Sequence, residues 1–298
     1  MTRRELYEQG RAMLEEANVP DAAYDAYRLF EWASGISHAA YLADPDIPVD
    51  PDTKDQYLKA CSGRSERIPL QHLIGEQEFM GLLFHTGPEA LVPRSDTEVL
   101  VETVLDWLAA HDDEIMVPQG REREILDLGC GTGCILISLL HVLDRRPKEC
   151  FSGTAADISE EALKLARHNA CLHDMETRIH WRRSEWFSEV PEKDFSVIVS
   201  NPPYIAHDVI STLEPEVAEH EPRQALDGGR DGLDAYRQII TEAPDHLADG
   251  GLLAVEIGWD QGETVSSLFE ANGFLDVKVI RDLSGQDRVV IGQKRSRQ

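Results

Sequence analysis

Residues 125–133 read Ile125-Leu126-Asp127-Leu128-Gly129-Cys130-Gly131-Thr132-Gly133, and the apolar run CILISLLHVL follows at once. An apolar stretch, a glycine-rich loop and a run apolar on every side predict a buried strand, a tight turn and a buried helix. Glycines in such a turn let the backbone approach a ligand closely and leave helix-start N–H groups free for an anion. The spacing is G-x-G-x-G, so the dinucleotide fingerprint G-x-G-x-x-G is not met, and neither is the Gly-Lys-Ser/Thr ending of a phosphate loop. Alone, the run also fits a purely structural turn, so its neighbours must decide.

Downstream, FSGTAAD (Phe151–Asp157) reads as a second strand ending in an acid, with a helix opened by Ser159. An acid there is placed to accept hydrogen bonds from ribose hydroxyls. The alternative is that Asp157 only caps the helix, a role Ser159 can fill itself. Further strands are predicted at Arg178–Trp181, Phe195–Ser200, Leu252–Ile257, Leu275–Arg281 and Arg288–Gly292, beside the first at Glu124–Leu128. Helices fit at about 96–110, 133–143, 159–172, 233–248 and 261–272. Strands alternating with helices imply an α/β domain, its sheet largely parallel and covered on both faces. Residues 1–75 instead read as short helices, with Leu6, Met13, Leu14 and Ala17 on one face. Between them EFMGLLFHTGPEALVP carries strand-like patches around a Gly-Pro break. The expected layout is a helical bundle at 1–75, a β-hairpin linker at 76–95 and the α/β domain at 96–298.

The chain has 298 residues and 42% hydrophobic content, enough for two cores. Its balance of 29 Lys+Arg against 55 Asp+Glu gives a net charge of −26. The excess runs through both parts, so no basic module collects phosphate backbones, and no direct nucleic-acid partner is expected. The five cysteines (Cys61, Cys130, Cys134, Cys150 and Cys171) include no C-x-x-C pair, and no secretory signal precedes them. Reduced thiols and a cytoplasmic location are expected. The histidines show no metal-ligand spacing, so no metal is expected. No apolar run is long enough to span a membrane.

The fourth strand of the α/β part, FSVIV, runs into Ser200-Asn201-Pro202-Pro203-Tyr204. Proline donates nothing to a sheet ladder and fixes its own φ, so the strand stops there. Strand ends are where ligands bind in such sheets. The glycine loop with Asp157 resembles the S-adenosylmethionine site of class I methyltransferases, whose Rossmann-like fold has a seven-stranded, mostly parallel sheet. Asn-Pro-Pro-Tyr resembles the motif of methyltransferases that alkylate planar nitrogen, in adenine amines or glutamine amides. The lone pair of such a nitrogen is delocalised, so the NH₂ group must be held and partly pyramidalised before it attacks the sulfonium methyl. The motif implies that the Asn201 side-chain carbonyl and the Pro202 backbone carbonyl accept the two N–H groups. Pro202 and Pro203 fix the direction and Tyr204 packs on the flat group. No strong base is needed first, because the nitrogen becomes acidic once alkylated.

The flanking blocks narrow the substrate. PLQHLIG at 69–75, Pro93-Arg94-Ser95-Asp96-Thr97-Glu98, Glu221-Pro222, ALDGGRDGL at 225–233, EIGWDQG at 256–262 and DLSGQDRV at 282–289 resemble the release factor glutamine methyltransferases. The resemblance runs from about Arg64 to Gly292. It implies methylation of the glutamine of the Gly-Gly-Gln motif in class I peptide-chain release factors. It implies that Gly129, Cys130, Gly131, Thr132, Gly133, Asp157, Trp186 and Asn201 contact S-adenosylmethionine. It implies that Asn201, Pro202, Pro203 and Tyr204 embrace the glutamine amide, and that the helical domain and hairpin bind the protein substrate, with the enzyme a monomer. Glu185 stands where relatives often have Asp, so no role is assigned to it.

Three alternatives stay open. The sister enzyme acting on a large-subunit ribosomal protein tends to read Leu-Cys-Thr-Gly-Ser-Gly and lacks Asp-Thr-Glu after Pro-Arg. An adenine methyltransferase needs a cationic groove. A silent cofactor-binding module would have no use for an intact Asn-Pro-Pro-Tyr. In the acidic loop 205–232, Glu214, Glu216, Glu219 and Glu221 read as a solvated face, or alternatively as a surface that closes over the glutamine or meets basic residues of the release factor.

Overall fold

The computed structural model describes residues 1–111, 115–117, 122–145 and 151–296, so Cys150 lies outside the described residues. The chain divides into two compact units, Met1–Glu76 with Glu214–His220, and Gln77–Leu213 with Glu221–Gln298. Among the described residues no helix is long and apolar enough to cross a membrane.

The first unit holds α1 (Arg3–Glu16), α2 (Ala22–Ser34), α3 (His38–Ala43), α4 (Pro51–Ser65) and α5 (Leu70–Ile74). Local chemistry sets its helix starts. Thr2 and Glu5 form a reciprocal capping box on α1. Asp50 caps α4 by accepting from the Thr53 N–H, with Pro51 at the first helical position. Leu6, Leu14, Leu29, Phe30, Tyr57 and Cys61 meet in its core.

A hairpin follows, of β1 (Glu76–Phe79) and β2 (Leu82–His85), which belongs to the second unit from Gln77 onward. The hairpin turns at Met80-Gly81, both at positive φ, the twist that short hairpins favour. The Gly-Pro break lies beyond β2 and does not form the turn. Phe79 and Phe84 pack edge to face in this unit's core. Then come α6 (Glu98–His111), β3 (Arg123–Leu128), α7 (Cys134–Leu143), β4 (Phe151–Asp157), α8 (Glu160–Leu172), β5 (Ile179–Arg183) and β6 (Phe195–Ser200). After α9 (Pro215–Ala218), inside the segment that belongs to the first unit, follow α10 (Asp234–His246), β7 (Leu247–Glu256), α11 (Gly262–Ala271), β8 (Leu275–Arg281) and β9 (Asp287–Gln293).

The sheet is seven-stranded in the order β5-β4-β3-β6-β7-β9-β8. Strands β5 to β7 are parallel, and β9 inserts antiparallel between β7 and β8. Every residue of β6 is buried, as expected for a parallel strand covered on both faces. At the edge, β8 is largely exposed and carries Asp276, Lys278 and Arg281, charges that discourage further pairing. One apolar layer joins α6, α7 and α8 to the sheet, and a second joins α10 and α11 to its other face. The strand order reverses at β3 and β6, so their carboxyl ends flank the crevice where ligands bind in such sheets.

Candidate active site

Both motifs issue from that reversal point. β3 and β6 pair with Leu128 opposite Ser200, and the buried Ser200 hydroxyl donates to the Leu128 carbonyl at 2.7 Å. The glycine loop and Asn-Pro-Pro-Tyr therefore start side by side, on the wall of one cavity of about 540 Å³ lying wholly within the second unit. Gly129, Cys130, Gly131 and Thr132 line it from the loop. Asp157, Trp186, Asn201 and Pro203 line it from three further strand ends. Glu185 lines it too. Gly133, Pro202 and Tyr204 are set back from the wall. Gly133 abuts Ile137 and Ala166, where a Cβ would come within 2.9 and 3.2 Å. Pro202 is buried and Tyr204 half-buried against the core of α10 and α11. Burial, then the charge of Glu256, pushes the Tyr204 phenol up to about 12.

Asp157 does not cap the following helix, because the Ser159 hydroxyl accepts from Ala162 and does so itself. Its oxygens accept instead from the N–H groups of Gly131 and Ser159, both at 2.9 Å. Burial raises the Asp157 pKa, and these N–H groups oppose the shift. Each carboxylate oxygen keeps a further lone pair, and the residue lines the cavity, which fits the hydroxyls of a ribose. Trp186 takes φ 48°, an uncommon conformation for a bulky residue, of the kind held at functional sites by surrounding structure. Buried Ser184 holds it there, donating to the Trp186 carbonyl at 2.8 Å and accepting from Glu189 N–H at 2.9 Å.

Asn201 donates through Nδ2 to the Thr97 hydroxyl at 3.2 Å, which leaves its carbonyl as the free end. The chain after it is fixed by backbone pairing with Leu226–Gly229. Ile205 N–H donates to Leu226 O at 3.0 Å, and Gly228 N–H to Ile205 O at 2.9 Å. Gln261 clamps the turn by donating to Tyr204 O at 3.1 Å and Gly232 O at 3.2 Å. Behind the glycine loop, buried Asn169 donates to Thr132 O at 2.9 Å and brackets His85 through N–H at 2.8 Å and C=O at 3.1 Å. Thr97 and Gln261 lie inside the sequence blocks that carry the resemblance and Asn169 outside them, and reading those blocks assigns none of the three a supporting role.

The acidic loop is a solvated face only at Glu214 and Glu219; Glu216 and Glu221 are withdrawn from solvent. Glu216 accepts from Arg64 Nη2 at 2.7 Å and from Arg67 Nε and Nη2 at 2.7 and 2.6 Å, and Arg67 also reaches Glu214 at 3.1 Å. Glu221, its carboxylate fully buried, accepts from Arg94 at 2.9 Å. Only Glu219 of the four is left exposed with no ion pair shown. The chain's own arginines pair with the other three. Cys61, Cys130, Cys134 and Cys171 are free thiols.

Comparison with known proteins bears on this geometry. Residues 5–75 match the PrmC N-terminal domain and residues 111–221 the Methyltransferase small domain. A release factor glutamine methyltransferase of Caulobacter vibrioides is 40% identical over 94% of this chain and 92% of its own. One of Agrobacterium fabrum is also 40% identical, over 94% of this chain and 93% of its own. Among solved structures, the hMettl16 catalytic domain in complex with a MAT2A 3'UTR hairpin covers 93% of this chain and 91% of that one. Its TM-score is 0.54 at 15% identity, a likeness of fold alone.

Proposed function

The chain belongs to the release factor glutamine methyltransferases, and on that premise we propose that it methylates the side-chain amide nitrogen of the glutamine in the Gly-Gly-Gln motif of class I release factors. The observation that carries this reading is the shared cavity, with Asn201 beside the glycine loop and its carbonyl unengaged. S-adenosylmethionine supplies an electrophilic methyl group when bound. The residues present fit it: an open glycine loop, a buried acid facing the ribose position and an indole at the adenine end.

The protein's own part is placement. Gly129–Thr132 and Asp157 hold the cofactor, and the Asn201 side-chain and Pro202 backbone carbonyls take the two amide N–H groups. Pro203 closes the rim and Tyr204 supports it from behind. Holding a near-attack geometry can supply ~7–11 kcal/mol, and acceptors aimed at the nitrogen stabilise the positive charge it develops. The helical unit is the docking module for the release factor, and the monomer is the working form. A net charge of −26 opposes nucleic acid as the acceptor.

The test is methyl transfer from labelled S-adenosylmethionine to a release factor, its Gly-Gly-Gln→Gly-Gly-Ala variant, a large-subunit ribosomal protein and duplex DNA. Label on the intact release factor alone, at one glutamine by mass spectrometry, is the expected result. Label on the ribosomal protein or DNA instead would keep the site and overturn the substrate.

A further inference from the structure

Glu256 is a buried carboxylate that the reaction as described does not use. It closes β7, which runs parallel to β6 with Val255 opposite Ser200. The next residue of each strand is then Glu256 on one side and Asn201 on the other. Glu256 is 2% exposed and Thr97 is 3% exposed. Thr97 accepts from Asn201 Nδ2, so its own hydroxyl hydrogen is free to turn toward a second acceptor. Thr97 and Asn201 both favour the charged form of the Glu256 carboxyl. Its Oε2 still has no hydrogen-bond partner among the described residues.

We propose that Glu256, with Thr97, is a positioning pair that locks the Asn201 amide with its NH₂ end inward and its carbonyl oxygen toward the cavity. A flipped amide would point its carbonyl at a carboxylate, leaving acceptors face to face with no proton between them. In a buried site that arrangement costs the desolvation of both groups. The pair thus makes this wall an acceptor and selects an NH₂-bearing substrate group over a carbonyl. The inference rests on the reading that the Asn201 carbonyl receives the substrate N–H.

The groups around Glu256 give the pair a pH signature. Burial pushes its carboxyl up to about 7, against Thr97, Arg288 and Asn201, while Asp96 adds to the rise. The Tyr204 and Tyr236 phenols and the Cys134 thiol, which also feel Glu256, all have raised pKa values and stay neutral through this range. Above about 7 the ionised carboxylate only accepts, and Asn201 is locked. Below it a carboxylic acid can donate to the Asn201 carbonyl, and the lock opens. Turnover should therefore fall as pH drops through 7, although the substrate amide itself does not titrate there.

The experiment is kcat against pH, between about 5.5 and 8.5, for the wild type, Glu256→Gln, Thr97→Val and Thr97→Ser. S-adenosylhomocysteine affinity and thermal unfolding are measured in parallel. We expect Glu256→Gln to lose the acid limb and about tenfold in kcat at high pH, the worth of one net hydrogen bond, with product affinity within about twofold. Thr97→Ser should behave as wild type and Thr97→Val as Glu256→Gln. An acid limb that survives in Glu256→Gln, or a kcat loss that only tracks lost affinity or lost folding, overturns the proposal. Asn201→Ala in the same assay separates the two layers. If it turns over normally the underlying reading fails; if it is slow while Glu256→Gln keeps its limb, only the positioning pair fails.

Discussion

Asp157 Oδ2 accepts the Gly131 N–H at 2.9 Å, so the acid that ends β4 is bonded directly to the loop that ends β3. The bond makes this wall of the cavity one object: the acid proposed to face the ribose is also tied to the backbone of the glycine loop. Asp157→Ala should then damage both, weakening S-adenosylhomocysteine binding by about 10–100-fold, the range for losing a hydrogen bond to a charged group. Asp157→Asn, which keeps one acceptor, should fall between. Calorimetric titration decides, and an unchanged Kd for Asp157→Ala would remove this residue from the cofactor site.

Asn201→Ala takes away the side-chain acceptor while leaving the backbone rim of Pro202 and Pro203 in place. By analogy with removing one aimed hydrogen-bonding group, kcat should drop by roughly 10²–10³ while cofactor affinity changes little. Single-turnover transfer to a release factor measures this. A loss under about fivefold would mean the amide nitrogen is held elsewhere.

Gly228 touches the motif from the opposite side. A Cβ there would lie 2.8 Å from the Pro203 carbonyl oxygen and 2.9 Å from Tyr204 Cα, backbone that has nowhere to retreat because Ile205 is bonded to Leu226 and Gly228. Gly228→Ala should shift the rim by a few tenths of an ångström. Displacements of that order matter for reacting groups held in line, so kcat should fall about tenfold or more with cofactor affinity preserved. Loss of both together would indicate collapse of the cavity, not misalignment of its rim.

What could be read beforehand, and what could not, divides along physical lines. Local chemistry announces itself: the glycine run, the acid that ends FSGTAAD and the paired prolines each break a pattern in sequence, and Gly129–Thr132, Asp157, Asn201 and Pro203 come to one cavity. The supports do not. Thr97, Asn169 and Gln261 are ordinary polar residues whose partners lie 104, 84 and 57 residues away, and no periodicity encodes a bond across such distances. At Glu216 the acidic loop escapes reading for the same reason, since Arg64 and Arg67 lie about 150 residues back, at separations of 152 and 149. Composition registers a run of charge but not the cations that fold against it. The hairpin turn was misplaced because Gly-Pro is the stronger breaker by sequence, whereas Met80-Gly81 wins through the burial of Phe79 and Phe84 on either side.

The ion cluster of the first unit makes the last prediction. Burial pushes the Glu216 carboxyl up, but hydrogen bonds from Arg67 and then Arg64 outweigh it and hold the group at about 2. A folded pKa below the unfolded value of 4.5 means stabilisation that is fully present above 4.5 and lost as pH falls toward 2. Glu216→Gln also strands Arg64, whose side chain is 7% exposed, with Asp25 as its one remaining carboxylate in the cluster. Breaking such a pair costs about 3 kcal/mol. Urea unfolding should show that deficit at neutral pH and show it shrinking as wild type and variant are both taken toward pH 2. Glu219→Lys, at an exposed position, should leave the curve unmoved at either pH. A deficit that stays constant or grows in acid would mean that Glu216 stabilises the unit by packing and not by its charge.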